Sequence, residues 1–186
     1  MNELVAPKVH PVKSYHQALE LMRLIPDFPK PGILFQDITP ILSDGPAFSA
    51  VVLELISRTS PVDCVAGVEA RGFIFGAAVA AQMGIGFIPI RKKGKLPHDS
   101  ISRSYGLEYG VAELEIHRDA IPHGSRVLLV DDILATGGTI GAAIELLREL
   151  GAQITDVAFI SQINELNGRV QIATKYPSIN IHVLST

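Results

Sequence analysis

The chain has 186 residues, of which 47% are hydrophobic and 19% are charged, so it is too apolar to be disordered and long enough to bury one core. Its formal net charge of −3 gives no general reason to bind nucleic acid, so any anion site must come from a local basic cluster. A single cysteine, Cys64, excludes an intramolecular disulfide and favours a reducing compartment. Since the N-terminus lacks an apolar signal segment, we expect a cytoplasmic protein that binds no membrane.

The first predicted element is a short helix that begins after Ser14. Ser14 and Gln17 have the spacing of a capping box, and apolar residues recur at helical spacing up to Pro26. The prolines between residues 26 and 32 then indicate a stiff, extended loop. Asp44 can cap a second helix, which we expect to reach residue 57.

From residue 64 onward, apolar strands alternate with helices. The predicted strands are residues 64–68, 87–90, 126–130, 156–163 and, at an edge, 179–184, and the predicted helices are residues 71–83 and 139–150. Such alternation indicates an α/β fold, with a mainly parallel twisted sheet and helices on both of its faces. The uncharged run 72–90 contains four glycines and Pro89, which favours a buried helix and strand over a membrane span.

Residues 91–121 depart from this pattern. A basic stretch containing serine and glycine is followed by alternating apolar and polar residues at 111–117, which predicts a small antiparallel hood over the sheet, at about residues 92–118. No repeat, low-complexity segment or linker interrupts the chain. We therefore expect one domain over residues 1–186, with a helix and a loop in about the first 36 residues.

The most informative segment is residues 127–139, Val-Leu-Leu-Val-Asp-Asp-Ile-Leu-Ala-Thr-Gly-Gly-Thr. A buried strand ends in two carboxylates, and small and hydroxyl residues then lead into a helix. Such a turn places free N–H groups and the positive helix end at the edge of the sheet where α/β proteins bind ligands. Gly137 and Gly138 allow close approach of a phosphate, and Thr136 and Thr139 offer hydroxyls. An Asp-Asp or Gly-Gly pair alone is more typical of an ordinary capped turn.

The whole segment resembles the phosphoribosyl pyrophosphate signature of the type I phosphoribosyltransferases. It is not a Walker loop, since no Gly-Lys-Ser or Gly-Lys-Thr occurs, and it is not a dinucleotide-binding Gly-x-Gly-x-x-Gly. The resemblance implies that fold, that Asp131 and Asp132 hold the ribose hydroxyls, and that the 5′-phosphate is bound by the residues after them, namely Ala135, Thr136, Gly137, Gly138 and Thr139.

Four further segments resemble the adenine-specific branch of that family: residues 26–40, 69–73, 91–97 and 107–117. This resemblance implies that the base stacks on Phe35 and is recognised by backbone groups of Leu34 and Gln36. An aromatic face suits a purine, and backbone donors and acceptors can match the edge of adenine. From the residues alone, Phe35 can equally be a core aromatic.

Cations follow two of the predicted strands. Arg71 opens a helix directly after a strand, which is a second candidate anion site, and the family places its pyrophosphate loop there, often with a non-proline cis peptide. Residues 91–95 carry four positive charges, a run that is ordinarily solvated surface. The resemblance implies that Arg71, Arg91, Lys92 and Lys95 bind the diphosphate.

The resemblance also gives Glu108, at the end of the hood, a role at the base, either in proton transfer or as a hydrogen-bond partner. An exposed hood carboxylate without a role in catalysis is the alternative from sequence. The catalytic residues implied in this way are Glu108, Arg71 and Lys95.

These segments together predict an enzyme of purine salvage, a pentosyltransferase that moves the 5-phosphoribosyl group from phosphoribosyl pyrophosphate to N9 of adenine, giving AMP and pyrophosphate. We expect Mg²⁺ as cofactor, held mainly by substrate oxygens and water, with no protein metal site. The resemblance implies a homodimer. Alternatives are a transferase for xanthine or hypoxanthine and a regulator that senses phosphoribosyl pyrophosphate. The first would keep residues 131–139 and change the base segment, and the second would ordinarily add a DNA-binding segment.

Overall fold

The structure is a computed structural model that describes residues 14–106 and 111–185. The chain forms two compact units that are divided between Glu54 and Leu55. The expectation of one domain over residues 1–186 stays a prediction.

The first unit contains short elements: α1 (Tyr15–Leu19), β1 (Arg23–Ile25), β2 (Phe35–Asp37), α2 (Thr39–Ser43) and the larger part of α3 (Gly45–Ser57). The predicted capping box is present, since Ser14 and Gln17 each accept a hydrogen bond from the other's backbone N–H. The helical spacing up to Pro26 was misleading, because α1 ends at Leu19 and β1 pairs antiparallel with β2. Asp44 Oδ1 accepts from Ala47 N at 2.9 Å, so its predicted capping role at α3 is confirmed.

The second unit contains one seven-stranded sheet with three helices. The strands are β3 (Cys64–Val68), β4 (Gly86–Lys92), β5 (Ser100–Gly106), β6 (Val111–His117), β7 (Arg126–Val130), β9 (Gln153–Phe159) and β11 (Asn180–Val183). A separate parallel pair is formed by β8 (Ile133–Leu134) and β10 (Ser161–Gln162). The helices are α4 (Arg71–Met83), α5 (Gly138–Glu149) and α6 (Gly168–Lys175).

The order of strands in the sheet is β11-β9-β7-β3-β4-β6-β5. The five strands from β11 to β4 are parallel, whereas β6 and β5 add antiparallel pairs. This arrangement confirms the predicted α/β class, with an edge strand at the C-terminal end and an antiparallel hairpin at the hood. All residues of β3 and residues 127–130 of β7 are buried, because both faces of the sheet centre are covered.

Two parts of the second unit differ from the sequence prediction. The strand predicted for residues 156–163 is two strands, and α6 with the 3₁₀ turn Asn164–Leu166 before it was missed. Among the residues described, no helix has the length and apolar character needed to cross a bilayer.

Candidate active site

Residues 131–139, which we call the 131–139 loop, leave β7 at the carboxyl edge of the sheet. Asp131 N donates to Ala158 O at 3.1 Å, and Asp132 O accepts from the N–H groups of Ile160 and Ser161 at 2.9 and 3.1 Å. The next two residues form β8 and pair with β10. The main chain that follows β9 therefore supports the first half of the loop.

The second half of the loop turns into α5. Gly137 caps the helix with a left-handed φ of 85°, which a residue with a side chain adopts only at a cost. The hydroxyl of Thr136 accepts from Gly138 N at 3.4 Å, whereas the N-cap residue Gly137 has no side chain that could cap the helix. A cavity of about 50 Å³ is lined by residues that include Asp131, Ala135, Thr136, Gly137 and Thr139. Free N–H groups and the helix dipole there are suited to a phosphate group.

The two carboxylates at the start of the loop are held in an environment that disfavours their charge. Burial raises the pKa of Asp131 well above its usual value, and the neighbouring charge of Asp132 raises it further. Burial also raises the pKa of Asp132, although an ion pair between Arg71 Nε and Asp132 Oδ2, 2.5 Å apart, acts in the opposite direction. Two carboxylates at this edge of the sheet can accept hydrogen bonds from sugar hydroxyls.

Arg71 reaches Asp132 from the start of α4. The Glu69–Ala70 peptide before it is cis, as the family resemblance implied. Gly72 lies against the 131–139 loop, because a Cβ built there would be 2.7 Å from Asp131 Oδ1 and 3.0 Å from Val130 O. The resemblance placed Gly72 in the pyrophosphate loop, but sequence analysis did not predict its packing against the acidic pair. The predicted pyrophosphate loop and the acidic pair are thus in direct contact.

Residues 91–95, which we call the basic turn, are joined to the same region by Glu69. Arg91 Nε donates to Glu69 Oε2 at 3.1 Å, and Lys92 N donates to the same oxygen at 3.1 Å. Burial raises the pKa of Glu69, but the hydrogen bonds from Arg91 and Lys92 outweigh that effect and leave the pKa below its usual value. Lys92 and Lys95 are exposed, so their ammonium groups extend from a turn whose backbone is fixed.

Glu115 on β6 fixes the far side of the basic turn. Its Oε1 accepts from Lys95 N and Leu96 N at 2.7 and 2.8 Å, and the residue is only 5% exposed. Burial raises its pKa, and the backbone hydrogen bonds more than compensate, so the net pKa is lowered. Sequence reasoning missed this residue, because a glutamate at an alternating position of a predicted hood strand looks like a solvent-facing one.

The candidate base segment lies in the first unit. Phe35 opens β2, where it pairs with Ile25, and its ring packs edge-on against Phe28 with centroids 5.1 Å apart. Phe35 is half-buried rather than a core aromatic, and Leu34 beside it is 52% exposed. Gln36 follows in the same strand, so the three predicted residues form one extended segment. An accessible aromatic next to extended backbone can receive a flat heterocycle.

The end of strand β5, which belongs to the hood, lies close to the start of α5. A Cβ built at Gly138 would lie 3.2 Å from Gly106 O and 3.5 Å from Cδ2 of Tyr105. Further along β5, Arg103 donates to Glu149 of α5 at 2.7 Å. Glu108 lies outside the described residues, so its predicted role stays a prediction.

Comparisons with known proteins agree on one family. Residues 41–182 match the phosphoribosyl transferase domain. An adenine phosphoribosyltransferase of Bradyrhizobium sp. (strain ORS 278) is 54% identical over 153 residues, which cover 81% of this chain and 86% of the relative. The crystal structure of adenine phosphoribosyltransferase from Thermoanaerobacter pseudethanolicus is 44% identical, with a TM-score of 0.86 over 92% of this chain and 99% of its own. The enzyme from Giardia lamblia, solved with 9-deazaadenine, is 37% identical, with a TM-score of 0.86 over 93% of this chain and 97% of its own.

Proposed function

The chain belongs to the adenine phosphoribosyltransferase branch of the type I phosphoribosyltransferase family, and on that premise we propose how its residues join adenine to phosphoribosyl pyrophosphate. The reaction gives AMP and pyrophosphate. The observation that carries the assignment of residues is the contact of two anion-binding features at one sheet edge. The acidic pair with the free start of α5 is one, and Arg71 at the start of α4 is the other.

We propose that the 131–139 loop holds the phosphoribosyl group. The N–H groups at the start of α5 and the hydroxyls of Thr136 and Thr139 would bind the 5′-phosphate, with Ala135, Gly137 and Gly138 as the backbone around it. Asp131 and Asp132 would accept hydrogen bonds from the ribose hydroxyls. These contacts would fix the sugar while its anomeric carbon becomes cationic, and charged carboxylates nearby favour that change.

The leaving pyrophosphate would be received by cations. Arg71, Arg91, Lys92 and Lys95 are the candidates, and stabilising the charge that develops on the leaving group lowers the barrier. In the structure, Arg71 pairs with Asp132 and Arg91 pairs with Glu69, so both guanidinium groups are already oriented before a substrate arrives. Exclusion of water by the hood would protect the ribosyl centre from hydrolysis.

Adenine would bind at the base segment, with Phe35 as the stacking face and backbone groups of Leu34 and Gln36 as hydrogen-bond partners. The exposed, extended segment around Phe35 supports this assignment. Glu108 would act at the base, either by accepting a proton or by a hydrogen bond to charge that develops there.

Mg²⁺ is proposed as the cofactor. Within residues 14–106 and 111–185, no three His, Cys, Asp or Glu side chains are grouped as metal ligands, and of the acidic pair Asp132 is already paired with Arg71. Such a donor set fits a cation that keeps water and substrate oxygens in its octahedral shell. When bound with the substrate, the ion would neutralise charge on the diphosphate.

We also propose a homodimer in the cytoplasm. The dimer is supported by the family resemblance. A reducing compartment is supported by the single cysteine, Cys64, which is buried and has no second cysteine in the chain to pair with. Light scattering in solution would test the dimer, since it should give twice the 20.0 kDa mass of the chain.

The experiment that tests the function measures nucleotide formation from phosphoribosyl pyrophosphate and Mg²⁺ with adenine, hypoxanthine, guanine or xanthine. We expect AMP from adenine and no product from the other bases. A preference for another base would leave the phosphate chemistry and overturn the assignment of the base segment. No product from any base, together with binding of phosphoribosyl pyrophosphate, would instead support a sensor.

A further inference from the structure

The second half of the 131–139 loop rests on a segment to which sequence analysis gave no role. Ile163 N donates to Leu134 O at 2.8 Å, and the chain then passes through the 3₁₀ turn to Asn167 and Gly168. Asn167 has a left-handed φ of 56°, which asparagine tolerates better than most residues. We call residues 164–172 the buttress, because this segment lies behind the loop.

Contact between the buttress and the loop is closest at Gly168, the first residue of α6. A Cβ built at Gly168 would collide with the carbonyl oxygen of Ala135 and would lie 3.0 Å from Gly137 N. From the other side, a Cβ at Gly137 would lie 3.2 Å from Gly168 O and 3.2 Å from Cγ1 of Ile172. Gly168 is buried, and Ile172 is 3% exposed. The two backbones therefore touch with no room for a side chain.

The conformation of Gly168 does not itself require glycine. Its φ lies outside the left-handed region, so an alanine there would be strained by the contact with Ala135 and not by its own backbone. Backbone atoms cannot rotate away as a flexible side chain can, so the collision must be relieved by movement of the loop or of α6. Movement of the loop displaces the N–H groups of residues 135–138, and movement of α6 removes the support behind them.

We propose that Gly168 is a positioning residue for the phosphoribosyl group, which sets the place of the 5′-phosphate N–H donors through direct contact with Ala135 and Gly137. The inference rests on the proposed function of the 131–139 loop. Gly168 itself touches no substrate. Its influence is specific for the phosphate end, because its contacts are with the loop residues that would bind the 5′-phosphate.

The test compares Gly168→Ala with the wild type. We expect the KM for phosphoribosyl pyrophosphate and the Kd for ribose 5-phosphate to rise about tenfold, since overpacking against backbone displaces the donors by a fraction of an ångström. The KM for adenine should stay within about twofold, because the base segment does not depend on these donors. A merely destabilising substitution would not separate the two Michaelis constants.

Gly45→Ala is the matched control, since Gly45 also opens an α-helix but a Cβ there meets nothing within 4 Å. It should leave both constants unchanged. If a thermal melt shows that Gly168→Ala does not fold, Ile172→Val decides the question. Loss of one methyl group behind Gly137 should raise the KM for phosphoribosyl pyrophosphate about threefold and leave that for adenine unchanged.

Equal changes in both Michaelis constants, or none in a folded variant, would overturn the positioning role. Failure of the proposed function gives a different result: the wild type would then make no nucleotide from any base. In that case ribose 5-phosphate binding by Gly168→Ala still decides the inference, because weaker binding supports it and unchanged binding refutes it.

Discussion

The 131–139 loop and the basic turn, which we propose bind the two phosphorylated ends of the substrate, are held by different means. The loop is fixed from behind by main chain, through the contacts of Asp131 and Asp132 with residues 158–161 and of Gly137 with Gly168. The basic turn is fixed by two carboxylates, Glu69 and Glu115, while Lys92 and Lys95 are exposed to solvent.

This difference suits the two ends of the substrate. The 5′-phosphate and the ribose stay in place throughout the reaction, and rigid backbone donors bind such groups without reorganising. Pyrophosphate gains charge and then leaves, and long cationic side chains can follow a group that moves. In the proposed site, the rigid 131–139 loop binds the part of the substrate that stays in place, and the mobile side chains of the basic turn bind the product that departs.

The largest effect is expected from substitutions in the rigid 131–139 loop. Asp131→Asn with Asp132→Asn should lower kcat/KM by about 10²–10⁴-fold, since two charged hydrogen bonds of about 1.5–3 kcal/mol each are weakened. Steady-state kinetics and a melt of the same sample measure this. An active double variant would remove the carboxylates from the ribose site.

The single change Asp131→Asn should raise the stability of the folded protein, although the double change lowers its activity. Because burial raises the pKa of Asp131 above its ordinary 3.8, the folded protein disfavours the ionised form. The resulting penalty is absent in acid, grows as the pH rises above 3.8, and is complete above the folded pKa. We therefore expect the variant to melt at a higher temperature than the wild type at pH 7 and at the same temperature in acid.

A smaller effect is expected when the support of the basic turn is removed. Glu115→Ala leaves the N–H groups of Lys95 and Leu96 without their acceptor, which costs about 1–3 kcal/mol for each buried donor. With the turn loosened, the KM for phosphoribosyl pyrophosphate should rise about tenfold and the KM for adenine should not change. Glu113→Ala removes an outer carboxylate from the same strand and serves as the control, with both constants within about twofold of wild type.

An effect of similar size is expected outside both regions. Phe35→Ala should raise the KM for adenine about tenfold, because base–aromatic stacking contributes about 1–3 kcal/mol. The KM for phosphoribosyl pyrophosphate should remain as in the wild type. Phe35→Tyr keeps the ring face and should restore adenine binding, and equal effects of Phe35→Ala on both substrates would exclude Phe35 from the base site.

Much of this could be predicted from sequence, for physical reasons. Strand β3, helix α4 and strand β7 have the predicted bounds, because uninterrupted apolar runs and glycine breaks leave few alternatives. The family prediction, from the acidic pair and the following loop, is confirmed. The residues that were missed act through tertiary contact. Gly72, Glu115 and Gly168 have no local pattern that tells which backbone they will meet.

The boundary errors have the same origin. Residues up to Ile25 have helical spacing, yet β1 gains its hydrogen bonds from β2, ten or more residues later. Helix α6 has a weak apolar pattern with Ile172 as its buried aliphatic side chain, so periodicity could not reveal it. In both cases a partner that is distant along the chain decides the structure.

The order of strands in the sheet also determines when each strand can pair while the chain is being synthesised. Strand β3 pairs with β4 about 20 residues later, but its other neighbour is β7, in which Val127 pairs with Cys64. One edge of the sheet centre therefore remains unpaired on the ribosome until residues 126–130 emerge, and contacts between such distant residues form slowly. An apolar strand with an open edge is a target for chaperones and for aggregation. The acidic pair follows β7 directly, so its two carboxylates emerge just after the strand that closes this edge.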